Sequence, residues 1–176
     1  MALVIDPVHS NIKFSIRHLG ISNVTGSFDK VTGTVDFDEA HPEKTMIDVK
    51  VDPTSINTRD NGRDGHLKSP DFFDVAKFPT IEYKSTSVEL TGDNTAKLHG
   101  DLTMKGVTKP VALNVEFTGK AKTAYGTFHG FEATGKINRE DWGLTFNGPL
   151  EGGGFLLGKD VKLQFDIELT QPPQAA

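Results

Sequence analysis

The sequence predicts an all-β protein in which about eight antiparallel strands close into a barrel or pack as a sandwich. Apolar and polar residues alternate along much of the chain, which places one face of each segment against a core and the other in water. Turn motifs and 18 glycines separate the alternating segments, and patterns typical of helices are few. Many short strands joined by glycine-containing turns are typical of antiparallel barrels and sandwiches.

Eight segments carry the alternation. In chain order they are 12–16, 31–37, 47–51, 81–83, 98–104, 111–117, 131–137 and 161–169. The last is the clearest, because Val161, Leu163 and Phe165 are separated by polar residues such as Lys162. Between the fifth and sixth segments, Lys105 and Gly106 form a turn signal that predicts a tight hairpin.

Two long segments interrupt the strands. Residues 54–78 are polar and then aromatic, and residues 142–159 include Gly148 and Gly152–Gly154 among apolar side chains. We expect the first segment to be a long connection with one or two short helical turns, and the second to be irregular. Connections of this length in a compact domain are usually functional.

The composition favours one water-soluble domain and excludes several classes of function. We expect residues 1–170 to form a single domain and residues 171–176 to form a disordered tail. The net charge of −5 and the scattered basic residues argue against nucleic acid binding. The absence of cysteine excludes disulfides, thiolate zinc sites and thiol catalysis.

The sequence also bears on localisation. No apolar run approaches the roughly 20 residues that span a bilayer, so we expect no membrane insertion. The first residues lack the basic and apolar regions of a signal peptide. As written, the sequence predicts a cytoplasmic protein, but a chain trimmed of its leader would look the same and would be periplasmic or secreted.

Small residues on the predicted inward faces favour a hollow barrel. The inward alternation includes the small residues Gly33, Ser85, Ser87, Gly100, Ala133 and Gly135. A solid core would need compensating bulk, because protein interiors fill to crystal-like density. A cavity for one ligand is therefore predicted, and barrels of about eight strands have room for one. The alternative is that these glycines mark bends and bulges, while aromatic side chains fill the interior.

Few residues suggest catalysis or metal binding. None of the six histidines has the spacing of a zinc motif, and neither a nucleophile elbow nor a phosphate-binding loop is present. Acidic pairs at Glu140–Asp141 and at Asp71 and Asp74 could serve acid–base chemistry, although such pairs are common on surfaces. We predict no catalytic residues, no metal and no cofactor, so an enzyme is the alternative rather than the main interpretation.

Several blocks of the sequence, in the right order, resemble the YceI-like family. They are DPVHS at 6–10, RDGHLKS at 63–69, GDLTMKGVTKPV at 100–111 and ATGKINREDWG at 133–143. The resemblance spans almost the whole chain. It implies an extended, lipocalin-like, eight-stranded antiparallel barrel that encloses a polyisoprenoid, an isoprenoid quinone or a similar long amphiphile. Many members are periplasmic or secreted and some form homodimers, so the resemblance leaves a homodimer open.

We therefore expect the chain to bind, carry or sequester a long apolar lipid inside the barrel. The predicted wall residues are Phe14, Ile16, Val35, Phe131 and Ala133. The predicted mouth residues are His18, Leu67, Phe72, Phe73, Trp142 and Phe155. Ordinary core packing is the alternative for each aromatic residue. A stress-related structural barrel without a ligand, or a lipid-modifying enzyme, are the alternative functions.

Arg59 and Arg63 have two interpretations. They alternate with Asp60 and Asp64 just before His66, so the four charges can pair with one another in a capping loop. Alternatively, the arginines lie at the barrel mouth and hold the polar head group of the ligand.

Overall fold

The computed structural model describes residues 1–172, and its strands form one antiparallel sheet that closes on itself. The strands are β1 (Ala2–Ile5), β2 (Asn11–His18), β3 (Ser22–Phe28), β4 (Val31–Asp36), β5 (Met46–Val51), β6 (Ile56–Asn57), β7 (Ile81–Leu90), β8 (Thr95–Met104), β9 (Val107–Thr123), β10 (Gly126–Asn138) and β11 (Leu157–Thr170). Eight of them form a ring in the order β1-β4-β5-β7-β8-β9-β10-β11. Pairing of β1 with β11, at Val4 with Thr170, closes the ring. The predicted eight-stranded antiparallel barrel is confirmed.

The membership of the ring differs from the prediction in one respect. The predicted strand at 12–16 is β2, which pairs with β11 over Asn11–Asp166 to His18–Leu157 and continues through β3 to β6 outside the ring. The short strand β1, which was not predicted, takes its place in the ring. Because β11 has 14 residues, it can pair with β1 near its end and with β2 along the rest of its length.

Turns set the register of the strands. The β8–β9 hairpin turns at Lys105 and Gly106, whose φ angles of 50° and 75° are both positive, as a type I′ turn requires. Between β1 and β2, the Asp6 carboxylate accepts a hydrogen bond from the Val8 N–H at 2.8 Å and contacts His9 Nδ1 at 2.9 Å. The hairpin predicted at Lys105–Gly106 is confirmed.

The two long connections differ in structure. The first contains α1 (Asn61–Lys68), which begins after Asp60, whose side chain accepts a hydrogen bond from the Arg63 N–H at 2.8 Å. The predicted helical turn is thus confirmed. The second connection begins with a 3₁₀ turn at Arg139–Trp142 and is then irregular up to β11. No helix within residues 1–172 is both long enough and apolar enough to cross a membrane.

The first and last strands lie near the two ends of the predicted domain. The strands extend from Ala2 to Thr170, inside the domain predicted at 1–170. The tail predicted at 171–176 falls mostly on residues 173–176, which lie outside the described residues.

Candidate ligand cavity

The barrel encloses a cavity of about 820 Å³, which is in the upper part of the range found for small-molecule sites. Its lining residues extend along β7 from Ile81 to Leu90. At about 3.3 Å per residue, this corresponds to roughly 30 Å of strand. The cavity therefore has the length needed for an extended chain.

The wall is built by alternate residues of the strands. On β11, for example, the side chains of Val161, Leu163, Phe165, Ile167 and Leu169 line the cavity. On the facing strands, residues such as Val49, Leu98, Leu113 and Phe117 do the same. Since side chains of a strand point alternately to its two faces, the alternation seen in the sequence becomes a continuous apolar surface inside the barrel.

Most of the predicted site residues lie on this surface. The structure places all five predicted wall residues on the cavity lining, namely Phe14, Ile16, Val35, Phe131 and Ala133. Four predicted mouth residues also line it: His18, Leu67, Phe72 and Phe73. Arg63 is the one predicted head-group residue that does so. Contact of these residues with a ligand remains a prediction.

Three predicted site residues lie elsewhere. Trp142 is only 2% exposed and packs in the core beside the wall, where its Nε1 donates a hydrogen bond to the Leu102 carbonyl at 3.0 Å. Phe155 is 61% exposed in the irregular connection. Arg59 is exposed and lies at a left-handed backbone position with φ 64°. None of these three residues lines the cavity, and their contact with a ligand remains a prediction.

The cavity was predicted from small residues on the inward faces, and this reason needs correction. Neighbouring side chains already fill the space beside the inward glycines. A Cβ atom at Gly33 would lie 3.0 Å from Ile5 Cδ1, and one at Gly135 would lie 2.6 Å from Leu113 Cδ2. Ser87 points outward, since a bulge between Ser85 and Ser87 shifts the alternation of β7. Of the six small residues, Ala133 is the one that lines the cavity.

The two ends of the cavity differ in charge. We call the end beside α1 and the 143–156 connection the helix end, and the end beside turns 37–45 and 91–94 the hairpin end. The basic side chains that line the helix end are His18, Arg63, His66 and Arg139. The acidic residues that line the hairpin end are Glu39 and Asp93, and the Glu39 carboxylate is paired with Lys120 Nζ at 2.8 Å. Lys13, the remaining charged lining residue, is exposed and lies mid-strand in β2.

Aromatic rings narrow the helix end. His66 lies 4.8 Å from Phe146 and 5.1 Å from Phe72, measured between ring centroids, and the two phenyl rings are 5.2 Å apart. The His66 Nε2 atom contacts the Asp71 carboxylate at 2.8 Å. This hydrogen bond fixes the imidazole ring against the two phenyl rings, so that the three rings form one cluster.

Arg139 is the most unusual lining residue. It is 3% exposed, its Nε donates to the Gly158 carbonyl at 2.8 Å and its Nη1 donates to the Leu144 carbonyl. Its Nη2 is buried without a hydrogen-bond partner. Burial lowers the pKa of Arg139. Sequence reasoning missed this residue as a site candidate, although it continues the inward alternation of Phe131 and Ala133.

Three other polar side chains, those of Tyr83, Asp71 and Glu140, have hydrogen-bond or ion-pair partners. The Tyr83 hydroxyl donates to the Val111 carbonyl at 3.0 Å, and burial raises the pKa of Tyr83. Asp71 contacts His66, and Glu140 pairs with Lys159 at 3.4 Å. One member of each predicted acidic pair is thus engaged with a basic partner.

One cluster of potential metal ligands was not foreseen. Ligand atoms of Asp6, His9 and Glu168 lie within 4.8 Å of one another. The cluster belongs to the β1–β2 turn, and His9 is 61% exposed there. None of these three residues lines the cavity.

Comparisons with known proteins agree with this architecture. A family model described as the YceI-like domain matches residues 3–169. A UPF0312 protein of Staphylococcus aureus (strain MSSA476) is 40% identical over 167 residues, which cover 94% of this chain and 95% of that protein. The resemblance stated from the sequence blocks is confirmed.

Solved structures show the same fold. BcnA of Burkholderia cenocepacia gives a TM-score of 0.82 at 20% identity, with 93% of this chain and 98% of that chain covered. A polyisoprenoid binding domain from Saccharophagus degradans, implicated in plant cell wall breakdown, gives a TM-score of 0.67 at 16% identity, with 97% and 98% covered. At these identities the likeness shows the fold alone.

Proposed function

The chain belongs to the YceI-like family, and from this premise we propose that it binds a long apolar lipid of the isoprenoid type inside its barrel and so carries or sequesters that lipid. The observation that supports the proposal most directly is the cavity of about 820 Å³, which follows the length of β7 and is lined mainly by aliphatic and aromatic side chains. A polyprenyl chain or the tail of an isoprenoid quinone has the matching shape and polarity.

Burial of the chain would supply the binding free energy. Removing apolar surface from water contributes roughly 25 cal/mol per Å², or about 0.8 kcal/mol for each methylene. Ten buried carbons would therefore contribute about 8 kcal/mol before the costs of ordering and association are subtracted. Carbons beyond these ten add to that sum, so affinity should rise with chain length until the chain exceeds the cavity.

Related structures support a binding function over a catalytic one. The Saccharophagus degradans domain with this fold is described as polyisoprenoid binding. In this chain, the acidic residue Asp71 contacts His66 and Glu140 pairs with Lys159, which leaves both carboxylates engaged at the surface. We therefore propose a carrier rather than a lipid-modifying enzyme.

Solvent extraction of the purified protein tests the proposal. Mass spectrometry of the organic extract should show an isoprenoid lipid in a molar ratio near one to the protein. A protein that carries no lipid, and that also fails to bind added farnesol after delipidation, would favour the alternative of a structural barrel. Conversion of farnesol to another compound during incubation would favour an enzyme.

A blocked cavity gives a second test. Ala133 lies on the wall, whereas its neighbour Thr134 is exposed on the outer face. Ala133→Phe should reduce the affinity for farnesol at least tenfold, and Thr134→Phe should leave it unchanged. Thermal unfolding of both variants checks that the barrel is intact, and Ala133→Leu serves as the milder change if Ala133→Phe does not fold. Equal affinities for all variants would contradict binding inside the barrel.

A further inference from the structure

We propose that the helix end of the barrel docks on the surface of a lipid membrane through the tips of two adjacent loops. The loops are the β2–β3 turn at 19–21 and the 143–156 connection, and we call their exposed side chains Leu19, Ile21 and Phe155 the apolar tips. The inference rests on the proposed function, because it names the partner with which a carrier exchanges its lipid. The contact is peripheral, so that the tips reach the head-group layer and the barrel stays in water.

The apolar tips lie on loops that are hydrogen-bonded to each other. The Leu19 N–H donates to the Leu156 carbonyl at 2.9 Å, directly beside Phe155 in the chain. Ile21 is 76% exposed and Phe155 is 61% exposed, so most of each side chain is outside the core. Leu19 has a φ angle of 55°, in the left-handed region that favours glycine and asparagine over leucine. Neither the geometry of the turn nor core packing therefore explains these apolar side chains, and they are available to a partner.

The apolar tips continue the cavity lining onto the outside of the protein. His18 and Leu156 line the cavity, and the residues next to them in the chain are Leu19 and Phe155. Exposed apolar patches mark binding surfaces for proteins or for membranes. A membrane is favoured here, because a lipid that leaves it at this point passes from the tips to the cavity wall with little exposure to water.

Charge distinguishes this end of the barrel from the other. The loops at 19–21 and 143–156 contain one charged residue, Glu151. At the hairpin end, turns 37–45 and 91–94 contain four acidic residues and one lysine, and one of these acids pairs with a lysine outside the turns. Charges that enter an apolar layer cost free energy, and carboxylates are repelled by anionic lipids. The helix end is therefore the end that can approach a membrane.

Sedimentation with lipid vesicles tests the inference. The delipidated full chain should bind vesicles of phosphatidylcholine. Ile21→Ser combined with Phe155→Ser should lower the partition coefficient about tenfold, because the apolar area that is buried sets the strength of interfacial binding. Glu151→Gln, which removes the single charge of the two loops, should increase binding to vesicles that also contain phosphatidylglycerol. Thermal unfolding checks that the variants fold, and Ile21→Ser alone, with a loss of about threefold, is the milder change.

Tyr125 is the matched control, because it is a comparably exposed aromatic residue at the opposite end. It is 94% exposed on the turn between β9 and β10. This turn lies beyond the hairpin end, since Thr95 at the start of β8 pairs with Glu116 and β9 continues from there to Thr123. Tyr125→Ser should therefore change the partition coefficient less than about twofold.

A fluorescent reporter gives a second readout of which end touches the membrane. Phe155→Trp should shift its emission to shorter wavelength when vesicles are added, and Tyr125→Trp should not. Trp142 is buried and contributes the same emission to both variants. Absence of vesicle binding, equal losses for the serine variants at the two ends, or an equal shift for both reporters would overturn the inference.

Farnesol binding by the wild-type protein separates this inference from the proposed function. Farnesol binding without vesicle binding would overturn the docking surface and leave the proposed function standing. Failure to bind farnesol would overturn both.

Discussion

The ring of Tyr83 lies directly over the backbone of Gly100 on the neighbouring strand, so that a Cβ atom at Gly100 would lie 2.5 Å from Tyr83 Cζ. The same Cβ would lie 2.6 Å from the Lys84 carbonyl oxygen, which belongs to the backbone and cannot rotate away. From this position the Tyr83 hydroxyl reaches the Val111 carbonyl at 3.0 Å. The absence of a side chain at Gly100 thus allows Tyr83 to bridge β7 and β9.

Gly100→Ala should destabilise the barrel by about 1–3 kcal/mol, the usual cost of adding atoms to a packed interior. Gly65→Ala is the matched control, because Gly65 lies in α1 with no atom near its Cβ position. That change should stabilise the protein by up to about 1 kcal/mol through helix propensity. Urea unfolding measures both differences, and a Gly100→Ala variant as stable as the wild type would show that Tyr83 moves without cost.

These glycines show how far the sequence could predict the site. Alternation correctly places Gly33, Gly100 and Gly135 on inward faces, because strand geometry fixes the direction of a side chain. It cannot predict which neighbour covers each glycine, since Tyr83 and Leu113 reach them from other strands. The existence of a cavity was predicted for the wrong physical reason, and its lining becomes visible only when the strand pairing is known.

Strand boundaries explain the other differences. Alternation identifies eight of the eleven strands. β1 has four residues and β6 has two, too few for a periodic pattern, and β3, with seven residues, was also not predicted. The bulge between Ser85 and Ser87 reverses the inward–outward alternation of β7, and no residue type at this point of the sequence signals it. Arg139 could have been found, because it continues the inward positions of Phe131, Ala133 and Ile137 one residue beyond the end of β10. A single cation on an otherwise apolar face is the signal.

A buried carboxylate holds the start of α1 against β6. The Asp64 Oδ1 atom accepts hydrogen bonds from the Thr58 N–H at 2.9 Å and from the Thr58 hydroxyl. Asp64→Ala should cost about 2–4 kcal/mol, because hydrogen bonds to a charged group contribute more than neutral ones and two buried donors lose their acceptor. Asp60→Ala, which removes only the N-cap, should cost about 1 kcal/mol. Urea unfolding of the two variants should show this difference, and equal costs would contradict it.

Trp142 is the single tryptophan of the chain and reports on the core beside the cavity. Because it is 2% exposed and its Nε1 donates to the Leu102 carbonyl, its fluorescence should resist quenching by iodide in the folded protein. Trp142→Phe should cost about 1–3 kcal/mol, since the partly buried Leu102 carbonyl loses its donor. Strong quenching in the folded state, measured against the urea-unfolded protein, would place the indole at the surface instead.

His129 should make the stability of the barrel sensitive to mild acid. Its side chain is buried beside Phe37 and Phe117, and its Nδ1 has no partner. Burial, opposed in part by the charge of Glu39, lowers the pKa of His129 below its ordinary value of 6.5. The unfolded chain therefore takes up a proton as the pH falls through 6.5, before the folded chain does. The free energy of unfolding should decrease from pH 6.5 down to the lowered pKa and should be unaffected by this group above pH 6.5.

His129→Phe removes this titration and keeps an aromatic ring among the phenyl groups. The difference in unfolding free energy between wild type and His129→Phe should therefore shift in favour of the variant as the pH falls from 7 to 5. His9 provides the contrast, because hydrogen bonding to Asp6 raises its pKa. Its contribution is present below pH 6.5 and is lost as the pH rises through the raised pKa, so His9→Gln should shift in the opposite direction. Denaturant unfolding at several pH values measures both, and parallel curves for wild type and His129→Phe would show that the buried imidazole is not held neutral by its surroundings.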